Sequence, residues 1–252
     1  MSLLNSRRLC RRLWAHLGIY TIISAGASIA QTRISADETQ RRLALHERLF
    51  TVHDRLSKPL TGIKPDASGV VHFTADFIND YPSVPGNLSP GEQATAELQR
   101  MIHASGAVIM ARAVGHRSAF TPSKGFIYSD WEFEISRVFK NDTAEAAQLG
   151  GIITVTRPGG ALVQNGIKYV AEDKTFPDFQ DGNVYILFLQ SLNDHSHSFR
   201  VFSGDCFLVS GNSVSRIDDY QRHSEVTGRL RVISSEALAN SLDEMVRAER
   251  RK

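Results

Sequence analysis

The histidines best placed to hold a metal are His195 and His197, within Asp194-His195-Ser196-His197. On a strand, residues i and i+2 face the same way, as two ligands of one zinc must. The tetrapeptide sits in a run of Ser, Asn and Asp between two apolar stretches, where a solvated hairpin loop is expected. No H-x-x-x-H or C-x-x-C partner accompanies it. Cys206 with His223, or with His195 and Asp194, has the residue types of a nucleophile, a base and an orienting group. Cys206 opens the apolar run Cys206-Phe207-Leu208-Val209, however, and reads as a small buried hydrophobe. Glu132 and Glu134 have the types for paired acid–base work, but their alternation with Trp131, Phe133 and Ile135 reads as the solvent face of an amphipathic strand. His46 and His53 lie seven apart on one expected helix face, at its polar rim. Ser213 is not a nucleophile elbow, because the second Gly of G-x-S-x-G is missing. The glycines form neither G-x-G-x-x-G nor a P-loop. The sequence therefore assigns no catalytic, cofactor-binding or metal-ligating residue, and no cofactor.

The elements that would position any site are easier to read. Ser35-x-x-Glu38 is a capping-box pattern, and Leu45, Leu49, Val52 and Leu56 recur at helical spacing, which predicts a helix over about 37–57. Five prolines and three glycines between 59 and 90 predict mostly loop, with one strand at Val70–Phe73. Ser89, Pro90 and Glu92 begin a second helix, with Leu98, Met101 and Ile102 as its apolar face. From Gly106 to Ile217 the period becomes that of strands, interrupted by turn signals. Asn165-Gly166, between Leu162-Val163 and Ile167-x-Tyr169, predicts a hairpin with a type I′ turn. Val184–Leu189 is uninterruptedly apolar and predicts a strand buried on both faces. Ser234, Glu236 and the stripe Leu238, Leu242, Met245, Val246 predict a closing helix.

Targeting narrows the function classes. Arg7, Arg8, Arg11 and Arg12 precede an uncharged run that ends in Ser28-Ile29-Ala30, a basic, apolar and small-residue sequence typical of a cleaved export signal. An uncleaved N-terminal anchor is the alternative. Removal of residues 1–30 takes four arginines and no acid, so the formal charge moves from +2 to −2. A mature chain near neutrality has no electrostatic case for nucleic acid. It keeps Cys206 alone and so forms no internal disulfide. The predicted organisation is a signal peptide (1–30), a helical and loop extension (31–88), a β-barrel domain (89–233) and a C-terminal helix (234–252).

The order Ala107-Val108-Ile109-Met110-Ala111, Tyr128-Ser129-Asp130-Trp131-Glu132-Phe133, Val138-Phe139-Lys140, Pro158-Gly159-Gly160 and Val184-Tyr185-Ile186-Leu187-Phe188-Leu189 resembles a group of secreted bacterial proteins with an OB-like barrel. More distantly, it is similar to netrin-module and tissue-inhibitor-of-metalloproteinases domains. The resemblance spans about Gly106 to Leu189 and implies an exported barrel. Those inhibitors reach a protease zinc through an N-terminal cysteine. The mature start expected here is Gln31, so that activity does not carry over.

The fold expected is mainly β: an OB-like closed or partly open barrel of short antiparallel strands, flanked by N-terminal and C-terminal helices. The function expected is a secreted or periplasmic non-catalytic binding or structural module, with an extracytoplasmic hydrolase as the second reading. Its partner would be an envelope or extracellular protein, with no nucleic acid and no stable membrane insertion after cleavage.

Overall fold

The computed structural model describes residues 60–75, 89–121, 123–143, 147–173, 176–192, 198–201, 204–217 and 234–251. The expected export signal, the helix expected over 37–57, and His46, His53, Asp194, His195, His197 and His223 lie outside the described residues.

A short 3-10 turn at Leu60–Gly62 leads to strand β1 (Val70–Ala75). Helix α1 (Pro90–Ala104) starts where Ser89, Pro90 and Glu92 place it, and its cap is a capping box. Ser89 Oγ accepts from the Glu92 amide, and the Glu92 side chain accepts from the Ser89 amide. Then come two long strands, β2 (Ala107–Phe120) and β3 (Ile127–Asn141), and the shorter β4 (Ile152–Pro158). The hairpin strands β5 (Gly160–Gln164) and β6 (Ile167–Asp173) follow. Its turn residues, Asn165 and Gly166, have φ of 53° and 78°, as a type I′ turn requires. The remaining strands are β7 (Val184–Ser191), β8 (Ser198–Arg200), β9 (Cys206–Ser210) and β10 (Ser213–Arg216). Helix α2 (Ser235–Glu249) closes the chain, and its N-cap Ser234 accepts from the Ala237 amide.

Five strands close on themselves. β7 pairs with β2, β2 with β3 and β3 with β4, all antiparallel. β8 then closes the ring, parallel to β4 and antiparallel to β7. With these strands counted one to five along the chain, the order round the ring is 1-2-3-5-4, a Greek-key barrel of OB-like type. β9 and β10 extend the sheet beyond β7. Register shifts near Val108, Met110 and Ala113 bend the long β2–β3 ribbon. Beyond the ring, a second sheet runs β1-β6-β5, with β1 parallel to β6. The strand read at Val70–Phe73 is thus recruited by a hairpin nearly a hundred residues later in the chain.

Side-chain alternation explains the layers. Ala111, Trp131, Phe133, Tyr185, Leu187 and Cys206 fill the ring, together with Phe176, Phe179 and Phe199. On the outer side of the same strands, Val108, Ile186, Phe188 and Phe207 meet Leu98, Met101 and Ile102 of α1 and Leu238, Leu242 and Val246 of α2. β7 is therefore apolar on both faces because one lines the ring and the other lies under helices. A third cluster, including Leu60, Val71, Phe126, Ile127 and Tyr169, seats the small sheet on the far end of the β2–β3 ribbon. Among the described residues no helix is long and apolar enough to cross a membrane.

Candidate binding groove

The two helices cover one side of the barrel and leave a groove of about 760 Å³ between them. Ala96 and Ile102 from α1, with Met245 and Ala248 from α2, supply its apolar lining. Gln99, Arg100 and His103 edge it on the α1 side, and Glu244 and Glu249 on the α2 side.

Ion pairs fix its walls. Lys140 comes from β3 and is almost fully buried; its Nζ donates to the Ile102 carbonyl at 2.8 Å. The same ammonium lies 3.4 Å from both Glu249 carboxylate oxygens and 3.3 Å from Asp142 Oδ2. His103 Nδ1 meets Glu249 Oε1 at 3.1 Å, so α1 and α2 are tied at one end of the groove. Arg137 Nη2 donates to Asp243 at 2.5 Å, which fastens α2 to β3. Arg216 Nη1 donates to Glu97 at 2.7 Å, and Arg100 lies 3.7 Å from Asp205. A buried ammonium is tolerated when carboxylates and a carbonyl surround it, and here they come from the end of α2, the end of β3 and the end of α1.

No protein-family model matches this chain, and no curated protein does. The groove lining has no hydroxyl or thiol nucleophile. Its charged side chains include a base and two acids, but Glu249 already faces His103 and Lys140.

The sequence candidates that lie among the described residues are dispersed. Cys206 is fully buried on β9 within the ring core, as its apolar neighbours implied. Glu132 is exposed, and Glu134 is paired with Arg112 across β2 and β3, so these two form a solvent face. Ser213 is exposed and donates to the Ser210 carbonyl at 2.8 Å. Among the described residues no cluster of His, Cys, Asp and Glu is placed to hold a metal ion.

Two polar clusters escaped the sequence reading. Arg157 is buried beneath Phe176 and Phe179, with its guanidinium 4.1 Å and 5.7 Å from their ring centres. It donates to the carbonyls of Pro158 (3.2 Å), Pro177 (2.5 Å) and Phe176, and lies 3.3 Å from Asp178. Burial lowers its pKa, opposed by Asp178 and Asp173. This arginine holds the 176–180 segment across the barrel. Asp130, also buried, accepts from Thr156 Oγ1 at 2.6 Å and lies 3.9 Å from Arg117 Nε. Burial, with Asp130 nearby, pushes the Tyr128 phenol up to about 12. Neither cluster has a sequence signature. An Arg beside a Pro in a strand, or an Asp in an apolar one, shows its role only once the neighbouring segments are in place.

Proposed function

We propose that this chain is an exported, non-catalytic binding module, acting in the periplasm or secreted, and that the groove between α1 and α2 is its binding surface. The observation that carries the reading is the groove itself: an apolar lining, a rim of ion-paired charges and no nucleophile. The filled barrel agrees with it, since aromatic and aliphatic side chains occupy the interior. Glu132 and Glu134 lie on the outer face of β3, where a nucleic-acid ligand would need positive charge. The OB-like strand order supports the resemblance to secreted barrels. The basic and apolar N-terminus supports export, with an uncleaved anchor as the other outcome.

The test compares the immobilised chain with an Ala248→Trp variant whose indole fills the groove. Both are offered the envelope and extracellular fractions. A protein retained by the wild type and by Glu132→Lys, but lost with Ala248→Trp, supports the groove. Retention indifferent to Ala248→Trp overturns it. Metal analysis of untagged protein addresses the hydrolase reading. About one equivalent of zinc, lost in a His195→Ala, His197→Ala double variant, would make a metalloenzyme the better account.

A further inference from the structure

The small sheet ends in a short strand that has none of the charges, prolines or bulges that commonly protect an edge. β5 is Gly160-Ala161-Leu162-Val163-Gln164: no charge, no proline and no register shift against β6. Natural edges are blunted by those devices. The hairpin register fixes which backbone groups are spent. A two-residue turn makes Gln164 and Ile167 a hydrogen-bonded pair, and the pattern then alternates along the ladder. Gly160, Leu162 and Gln164 therefore bond to β6, while Ala161 and Val163 turn their N–H and C=O groups to the open side. Among the described residues no turn or loop backbone bond reaches either of them. The same two residues are exposed at the side chain, Val163 at 69%, and Leu162 packs inward on the third core cluster.

We propose that β5 is a self-association edge, at which a second copy of this chain pairs antiparallel about Leu162. That register sets Ala161 opposite Val163 of the other copy and Val163 opposite its Ala161, each pair exchanging both amide–carbonyl bonds. The two β5 edges are identical and uncharged, so a two-fold contact brings no like charges together; Lys168, the exposed charge nearest Val163 in the ladder, sits one strand back on β6. The two copies would join their three-stranded sheets into one continuous sheet. A contact of one short strand per copy is small, so the dimer is weak and driven by concentration. The inference is independent of the groove, which lies on the helical side of the barrel.

Sedimentation equilibrium on the purified chain, from about 1 µM to about 1 mM, tests it over the range of weak contacts. Val163→Pro removes an outward N–H and no bond to β6, and Val163→Lys places a charge on the edge. The expected result is a monomer–dimer equilibrium, with both variants at least tenfold weaker and the melting temperature of Val163→Lys unchanged. Amide exchange at Ala161 and Val163 should slow as concentration rises. A monomer throughout, or a dimer that both variants leave intact, overturns the proposal, as does concentration-dependent protection confined to other strands.

Discussion

Arg157 follows Ile153 and Val155 on the inward face of β4, where an apolar side chain would ordinarily stand. Its burial under two aromatic rings makes it the guanidinium that three backbone carbonyls depend on. Arg157→Ala should cost about 3 kcal/mol or more, because the buried Phe176 carbonyl loses its donor and the rings above lose the side chain they pack on. Arg157→Lys should recover little of it, since an ammonium cannot span the same fork. Urea unfolding measures both. Tyr128 gives a test in pH. An unfolded tyrosine ionises near 10, whereas this one is held neutral up to about 12. Between those values the unfolded chain gives up its proton first, so stability falls as pH rises from about 10 to about 12. Tyr128→Phe should flatten that alkaline loss while the curve below pH 10 keeps its shape. Equal slopes for the two proteins above pH 10 would assign the loss to other groups. At this scale the sequence was readable where a residue's role is local. Ser89 with Glu92 forms a cap, Asn165-Gly166 a turn, and Cys206 a core position. It was silent for Lys140 and Arg157, whose partners come from segments distant in the chain.

Elements were legible through their periodicity, and their ends were set by contacts that periodicity does not encode. The apolar run Ala107–Val114 reads as a buried strand, and in the structure the strand carries on to Phe120, because β3 offers partners along that length. Pro158-Gly159-Gly160 predicts a turn. In the structure it is a corner, at which the chain leaves the barrel and enters the second sheet. Gly160 is required there by space as well as by its φ of +134°: a methyl group would collide with Ser129 Oγ and Ser118 Oγ. Those hydroxyls are 2.8 Å apart, and Ser129 Oγ also donates to the Gly159 carbonyl. Gly160→Ala should therefore cost about 3 kcal/mol through overpacking and a disfavoured backbone. Gly166→Val, at the tip with open space around it and φ of 78°, should cost about 1–2 kcal/mol through φ alone. Thermal denaturation ranks the two, and the reverse order would mean that the corner relaxes. The groove was not legible at all. Each helix displays its apolar stripe in sequence, but the gap between them follows from where Lys140 pins their ends and Arg137 and Arg216 their middles.

Across the whole molecule, three apolar layers share one bent ribbon, so its parts should unfold together. Cys206 reports on this without a label of its own. Being fully buried in the ring, it should react with a thiol reagent only when the barrel opens. Its labelling rate should follow global unfolding across a denaturant series. Fast labelling of the native protein would instead expose the sulfur and reopen the nucleophile reading. The ring also sets an order in time. Its last member, β8, is a three-residue strand lodged between β4 and β7, and it begins forty residues after β4 ends. However the chain emerges, from a ribosome or through a translocation pore, the β2–β3 hairpin is complete long before residue 198 arrives. Until then β4 and β7 have open edges, and an aromatic interior is exposed to any neighbouring chain. Phe199, paired to both flanking strands, is the stitch that ends this interval. The seam at β8 is thus where a holding chaperone would have most to gain, and where a slow emergence rate would carry the greatest aggregation risk.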